Sequence, residues 1–131
     1  MTLELQILAL AGLLWTLQLL GLSIAGNLQL STRWLLGPRD EPQPLRGLAG
    51  RLQRAQSNMT ESLLLFAVAV VVLEFGGKSG EPLTEGGAVA YLVARLAYVP
   101  AYAFGLTPWR SIIWFVGFGA TLVMLLIGLL G

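Results

Sequence analysis

Two groups of polar residues recur at helical spacing within stretches of sequence that are otherwise apolar. Arg51, Arg54, Asn58 and Glu61 are separated by three, four and three residues, a spacing that stacks side chains on one face of a helix. A second group, at spacings of four, three and four, consists of Tyr91, Arg95, Tyr98 and Tyr102. Guanidinium, carboxylate, amide and hydroxyl groups on facing helices can together bind a ligand that carries several polar groups.

Two of these residues, Glu61 and Arg95, fall well inside apolar segments. A charge at the centre of a bilayer costs about 2.5 to 3.5 kcal/mol, whereas each leucine or valine returns only about 0.3 to 0.6 kcal/mol. We therefore predict that Glu61 and Arg95 face the interior of a helical bundle, bond to one another or to backbone, and mark a polar cavity. A pair that only ties two helices together is the alternative, although Asn58, Tyr98 and Tyr102 supply more hydrogen-bonding groups than such a pair needs.

Arg110 and Ser111 open the last apolar segment. The sequence predicts Ser111 as the N-cap of a helix whose first turn carries partial positive charge, and an arginine at such a helix start can bind an anion. The alternative is that Arg110 only anchors the helix at the lipid headgroups.

The composition restricts the remaining chemistry. Of the 131 residues 56% are hydrophobic and 11% are charged, which is far from the balance of a soluble domain and typical of a membrane protein. The chain has no cysteine and no histidine, which excludes a disulfide framework and the usual zinc ligands, and no metal site is predicted. A net charge of +1 gives no indication of a nucleic-acid partner.

The elements that must position these groups are apolar helices. The fold class predicted is all-α, a single integral membrane four-helix bundle over residues 1–131. The predicted helices cover residues of about 5–29, 51–75, 87–106 and 111–130. An even number of crossings places both termini on one side of the membrane.

Basic residues that flank the spans predict the orientation, because lysine and arginine are retained on the cytoplasmic side. The second connection offers only Lys78, and the loop between the first two helices also holds Trp34, predicted at the membrane interface. The basic residues of the first and third connections are Arg33, Arg39, Arg46, Arg51, Arg54 and Arg110. Both termini are therefore predicted to be non-cytoplasmic.

Three strings of the chain together resemble the MAPEG family, membrane-associated proteins in eicosanoid and glutathione metabolism, and in particular its bacterial-type members. The strings are Arg51-Leu-Gln-Arg54-Ala-Gln-Ser-Asn58-Met-Thr-Glu61, Arg95-Leu-Ala-Tyr98-Val-Pro-Ala-Tyr102 and Trp109-Arg110-Ser111. In combination they are specific, and the resemblance spans nearly the whole chain.

The resemblance implies a homotrimer of four-helix subunits among membrane lipids. A glutathione site would lie between neighbouring subunits, open to the cytoplasmic side, and an apolar small-molecule substrate would arrive from the bilayer. It implies catalytic roles near the glutathione sulfur for Arg110 and Ser111, with Arg110 stabilising the thiolate. The glutathione-binding residues that it implies are Arg51, Arg54, Asn58, Glu61, Arg95, Tyr98 and Tyr102.

The chain departs from the family pattern at several positions. Gln56 and Tyr98 stand where many or some relatives have histidine, Trp114 stands where some have tyrosine, and Gln29 stands where synthase members carry a basic residue. A non-catalytic lipid-binding or scaffold member of the same family is therefore the second interpretation. A small four-helix exporter is the third interpretation. It is disfavoured because exporters of that kind depend on a carboxylate within the first helix, and the first helix here has only Glu4, at its entrance.

Overall fold

The computed structural model describes residues 1–30, 36–38, 44–106 and 108–131. Within these residues it forms four long helices: α1 (Leu3–Gln29), α2 (Gly47–Phe75), α3 (Pro82–Ala103) and α4 (Trp109–Leu130). In the described residues α1, α2 and α4 are long and apolar enough to cross a membrane. The helix α3 is long enough as well, at 22 residues, but Arg95 and three tyrosines make it less apolar.

The ends of the helices differ from the predicted ends by a few residues. α2 starts earlier than predicted, at Gly47, and α3 is shifted towards the N-terminus as a whole. α3 can start at Pro82 because proline fits the first turn of a helix, where its missing N–H leaves no bond unmade. The predicted flanking residues Arg33 and Arg39 and the predicted interfacial Trp34 lie outside the described residues.

The helices alternate in direction, so both chain termini lie at the same end of the bundle. At that end the hydroxyl of Thr2, near the N-terminus, donates to the carboxylate of Glu74 at the end of α2. Lys78 Nζ, just after α2, donates to the carbonyl of the last residue, Gly131. α2 and α3 contact each other, with α1 packed against both on one flank and α4 packed against both on the other. The common end of the termini agrees with the predicted even number of crossings; its orientation in a membrane stays a prediction.

Close helix packing relies on stacked aromatic rings and on glycine. The rings of Phe66 on α2 and Tyr91 on α3 are stacked, with centroids 4.0 Å apart and planes 8° from parallel. A Cβ atom at Gly87 would lie 2.8 Å from Met124 Cγ, so glycine is what allows α3 and α4 to approach so closely. Interhelical contact in a bilayer depends on such packing because lipid tails are as apolar as the side chains they replace.

A buried carboxylate joins α1 to the start of α3. Glu4 is fully buried and accepts hydrogen bonds from the backbone N–H of Gly80, at 2.9 and 3.1 Å to its two oxygens, and from Thr84 Oγ1 at 3.0 Å. The residue that precedes α3, Glu81, makes no capping bond of its own with its side chain. Glu4 thus supplies the acceptor at this helix N-terminus from a distant part of the chain.

Replacing Glu4 by alanine is expected to lower the free energy of unfolding by about 2 kcal/mol, because hydrogen bonds to a charged acceptor are lost and buried donors stay unpaired. Thermal unfolding of the detergent-solubilised protein measures this change. The control Glu85→Ala removes a carboxylate from the first turn of α3 itself and is expected to change the free energy by less than about 0.5 kcal/mol. Equal melting temperatures for the two variants would show that the Glu4 contacts contribute nothing.

Candidate functional site

A polar cavity of about 330 Å³ lies at the end of the bundle opposite the chain termini. It is bounded by α2, by the end of α3 and by the start of α4. Its lining consists of Arg54, Asn58, Tyr98, Tyr102, Arg110, Ser111, Trp114 and Phe115. Apart from Trp114 and Phe115, every lining residue is among those predicted from the sequence. The periodicity of the two polar groups thus corresponds to side chains that converge in space.

Two arginines converge on one tyrosine of this polar cavity. Arg54 Nε donates to Tyr102 Oη at 3.1 Å, and the Arg54 Cζ atom lies 6.0 Å from the centroid of the same ring. Arg110 Cζ lies 4.9 Å from that centroid. The electron-rich face of the ring offsets part of the repulsion between the two guanidinium groups. The remaining N–H donors form a concentrated positive charge that suits an anionic ligand.

Arg110 and Ser111 lie in the first turn of α4. The helix begins at Trp109 and its N-cap residue is Pro108, so the prediction that Ser111 is the N-cap is wrong. The turn begins earlier because the carbonyl of Pro108 already accepts from the backbone N–H of Ser111, at 3.0 Å. The backbone N–H of Arg110 is likewise occupied, at 3.1 Å from a carbonyl of the preceding turn. Among the described residues of this helix start, the Arg110 guanidinium and the exposed Ser111 hydroxyl are therefore the groups available to bind an anion, and the helix dipole adds to both.

A second cavity, the inner cavity, lies deeper in the bundle between α2, α3 and α4 and has a volume of about 210 Å³. It shares Asn58 and Trp114 with the polar cavity. Its lining consists of Asn58, Glu61, Ser62, Leu65, Tyr91, Arg95, Ile113, Trp114, Gly117, Phe118 and Thr121. Because the two cavities share wall residues on α2 and on α4, they form neighbouring compartments of one site.

Arg95 is buried, with 2% of its surface exposed, and its guanidinium lies over the ring of Tyr98 at 4.2 Å from Cζ to the centroid. Its Nη1 donates to Asn58 Oδ1 at 2.8 Å, whereas Nε and Nη2 have no hydrogen-bond partner in the described part of the chain. The prediction that Glu61 and Arg95 bond to one another or to backbone is therefore wrong for the described residues, although both line the inner cavity. Glu61 is exposed on the surface of the single chain, and because it lies near the middle of α2, contact with lipid alone would leave its carboxylate unsolvated.

A hydroxyl pair in the inner cavity was not predicted from the sequence. Ser62 Oγ lies 3.1 Å from Tyr91 Oη and 3.1 Å from the carbonyl oxygen of Met59. Either hydroxyl can be the donor of the pair, and when the one hydrogen of Ser62 points to the Met59 carbonyl, Tyr91 donates. Spacing could have identified Ser62, because it follows Asn58 by four residues and therefore lies at a helical interval from it.

Arg51 has a different place from the other predicted site residues. Its Nε donates to the carbonyl of Ala103 at 2.8 Å, which satisfies a carbonyl at the C-terminus of α3. Arg51 does not line the polar cavity or the inner cavity as the described residues define them. Its role as a glutathione ligand stays a prediction.

Gln29 ties the end of α1 to the chain that enters α2. Its Nε2 donates to the carbonyl of Arg46 at 2.8 Å, and its Oε1 accepts from the backbone N–H of Arg46 at 3.0 Å. Both polar ends of the amide are thus used in a backbone contact. Synthase members of the family that the sequence resembles carry a basic residue at this position. Here the side chain is the neutral Gln29, and both of its hydrogen bonds go to the backbone of Arg46.

The helices and the two cavities together define a class of protein: an α-helical membrane protein with a polar, arginine-rich site at one end of its bundle. The sequence profile of the MAPEG family matches residues 7–130. The chain therefore belongs to the MAPEG family and is an integral membrane protein. A search of curated proteins finds no match.

Proposed function

We propose that this protein is a membrane-embedded transferase or peroxidase that uses glutathione, or a related small thiol, on apolar electrophiles. The observation that carries the proposal is the convergence of Arg54 and Arg110 on Tyr102, in a cavity that the exposed Ser111 also lines. Family membership supports a glutathione-related function. We also propose that the chain is one of the bacterial-type members of the MAPEG family.

The donor set of the site fits glutathione. This tripeptide brings two carboxylates, an ammonium group and a thiol. Arg54 offers the guanidinium that a carboxylate prefers, the exposed Glu61 offers an acceptor for the ammonium group, and Asn58 and Tyr98 offer further hydrogen bonds. Arg95 positions Asn58 through its hydrogen bond to the amide oxygen, and it positions Tyr98 through the contact of its guanidinium with the ring.

In the proposed mechanism Arg110 stabilises the thiolate and the Ser111 hydroxyl donates a hydrogen bond to the sulfur, while the thiol proton leaves to water at the mouth of the polar cavity. In conjugation, the sulfur attacks the electrophilic carbon, a C–S bond forms, and the leaving group departs with its electron pair. In peroxide reduction, the sulfur attacks the terminal oxygen of the hydroperoxide, an S–O bond forms and the O–O bond breaks, which gives glutathione sulfenic acid and an alkoxide. The alkoxide takes a proton, and the sulfur of a second glutathione displaces the sulfenic hydroxyl as water to give the disulfide.

The proposed assembly is a homotrimer in membrane lipids, with the site between neighbouring subunits, open to the cytoplasm, and both termini on the other side. The exposure of Glu61, which lines the inner cavity, supports a site that a neighbouring subunit completes, because a charged group beside apolar spans requires polar surroundings. Native mass spectrometry from mild detergent is expected to give three chains per particle. A monomer at all protein concentrations would contradict the proposed assembly.

A non-catalytic lipid-binding or scaffold protein of the same family is the second candidate. It is favoured by one observation, the neutral Gln29 tie at the end of α1, which leaves one cation fewer near the site than synthase members have. Identification of lipids that copurify in a fixed ratio to the chain, together with absence of glutathione binding, would favour this candidate.

The deciding experiment is turnover by the purified protein in detergent with glutathione and 1-chloro-2,4-dinitrobenzene, and separately with an organic hydroperoxide. The proposal predicts saturable conjugation or reduction above the uncatalysed rate. No binding and no turnover with either electrophile would leave the scaffold candidate in its place.

Replacing Arg54 by alanine is expected to weaken glutathione binding by at least about tenfold, because a charge-assisted hydrogen bond contributes roughly 1.5 to 3 kcal/mol. Isothermal titration calorimetry with S-methylglutathione measures this change without turnover. The matched control is Arg46→Ala, which removes the same charge at an exposed position just before α2. Equal affinities of the two variants would remove Arg54 from the proposed site.

A further inference from the structure

A groove on the outer side of α3 and α4 lies apart from the polar cavity. Its volume is about 470 Å³. Small residues of α3 and branched residues of α4 line it, among them Gly86, Ala90, Ala97, Ile112 and Val116. In the described part of the chain all the residues that line the groove are apolar. The groove therefore offers dispersion contacts and no side chain that can bind a charged or polar ligand group.

The groove opens towards the bilayer and away from the interior of the bundle. Val89 and Val93, which line it, are 42% and 58% exposed. The inner cavity lies on the other face of α3, where Tyr91 and Arg95 line it, and the two spaces share the wall residue Ile113. Because the chain is an integral membrane protein and α4 is apolar enough to span the membrane, the groove is continuous with the lipid-facing surface of the bundle.

The dimensions of the groove suit one extended hydrocarbon chain. Along α3 the groove runs from Gly86 to Ala97, which is about 16 Å at the rise of an α-helix. One acyl chain covers about the same distance, since it crosses half of a hydrocarbon core that is roughly 30 Å thick. Spread over this length, the volume of about 470 Å³ corresponds to a cross-section of about 30 Å². A helix about 10 Å in diameter needs more than twice that area, so a helix of a second copy does not fit.

The start of α4 connects the groove with the surface of the membrane. Trp109, Ile112 and Val116 follow one another at spacings of three and four, so they lie on one face of α4. Trp109 is the first residue of this helix and is 62% exposed. An exposed tryptophan at the end of a spanning helix is typical of the headgroup level. A chain in the groove therefore reaches the headgroup level beside Trp109.

We propose that this groove binds one acyl chain of a membrane phospholipid, with the glycerol backbone of the lipid beside Trp109. The phospholipid is a bound partner of the fold and is not consumed, so the proposal goes beyond the proposed function and does not require a thiol. A chain in the groove contacts protein along both helices, whereas a chain on a flat lipid-facing surface contacts protein on one side. We therefore expect this lipid to exchange more slowly than the lipids around α1.

The test is photolabelling of the protein in phosphatidylcholine nanodiscs that contain a small fraction of phosphatidylcholine with a diazirine in the middle of one acyl chain. Mass spectrometry of peptides after illumination locates the label. We expect the peptides that line the groove to carry at least about fivefold more label than those with Leu17 and Leu20 of α1, because the bound chain makes more contacts. These two leucines are a comparison matched in exposure, at 65% and 55%.

Ala90→Phe fills the groove and is expected to lower the label there to the level of α1. The matched control, Ala9→Phe, makes the same change at an exposed position of α1 that does not line the groove as the described residues define it. We expect this control to label as the unmodified chain does. If Ala90→Phe does not fold, Ala97→Phe makes the change at an exposed residue at the end of the groove and is expected to give the same loss.

A fatty acid and a second copy of the chain are the other occupants that the experiment separates. Stronger labelling of the groove by a diazirine analogue of oleic acid than by the phospholipid would overturn the assignment to a phospholipid. Val93→Cys gives a chain with a single cysteine, and disulfide-linked chains in the membrane would show a second copy over the groove. Such a link, equal label on the groove and on α1, or unchanged label in Ala90→Phe would each overturn the proposal. Glutathione is absent throughout, so failure of the proposed enzyme leaves this result unchanged.

Discussion

Arg110→Ala is expected to lower kcat/KM for glutathione conjugation at pH 7 by about 30-fold. A free thiol with a pKa of about 8.5 is only about 3% ionised at pH 7. If Arg110 keeps the bound thiol fully ionised, its removal lowers the thiolate population, and with it the rate, by about 30-fold. The guanidinium is the charged group of the polar cavity nearest to Ser111 in the chain, and the backbone N–H groups of both residues are already bonded. Steady-state kinetics at pH 7 and pH 9 measures the effect.

The pH dependence separates this role from a merely structural one. At pH 9 more than half of the free thiol is ionised without help, so the deficit of Arg110→Ala is expected to shrink to less than about twofold. The control Arg110→Lys keeps the positive charge and is expected to retain most of the activity. A deficit in Arg110→Ala that is equal at both pH values, or full activity of that variant at pH 7, would refute thiolate stabilisation by Arg110.

Asn58→Ala is expected to lower the free energy of unfolding by about 3 kcal/mol and to abolish measurable glutathione binding. The substitution removes the acceptor of Arg95 Nη1, which leaves a buried guanidinium without a hydrogen bond in the described part of the chain. The loss of a hydrogen bond to a charged group and the burial of an uncompensated charge both contribute. Unfolding of the solubilised protein, monitored by circular dichroism, measures the change in stability.

Two further variants isolate the contact between Asn58 and Arg95. Asn58→Asp keeps an acceptor opposite the guanidinium and is expected to be nearly as stable as the unmodified chain. The double variant Asn58→Leu with Arg95→Met replaces both partners by apolar groups and is expected to recover most of the lost stability without recovering glutathione binding. If Asn58→Ala is as stable as the double variant, the contact does not carry the energy assigned to it.

The sequence was sufficient to predict four helices, though not their ends, and six of the eight residues that line the polar cavity, all except Trp114 and Phe115. Apolar length identified the membrane helices, and intervals of three and four placed Arg54 and Asn58 on one face of α2 and Tyr98 and Tyr102 on one face of α3. Such intervals determine the face of a helix on which a side chain lies, and this was enough because both faces border the same cavity.

The partners of individual side chains could not be predicted in the same way. Asn58 and Glu61 share a face of α2, and which of them reaches Arg95 depends on the vertical offset between α2 and α3, which no spacing within one helix records. The contact of Glu4 with Thr84 joins residues that are far apart in the chain. Arg51 and Arg54 lie about one helical turn apart on α2. Because of this offset, Arg51 bonds the carbonyl of Ala103, whereas Arg54 lines the polar cavity.

The proposed function requires that the polar cavity binds glutathione and ionises its thiol. Ultraviolet difference spectroscopy at pH 7, with glutathione titrated into the purified protein, measures both events through the absorbance of the thiolate. We expect a saturable thiolate signal in the unmodified chain, no such signal with S-methylglutathione, and a strongly reduced signal in Arg110→Ala at concentrations that still saturate binding. A glutathione titration of the unmodified chain that gives no thiolate signal, or a signal unchanged in Arg110→Ala, would refute thiol ionisation in the polar cavity.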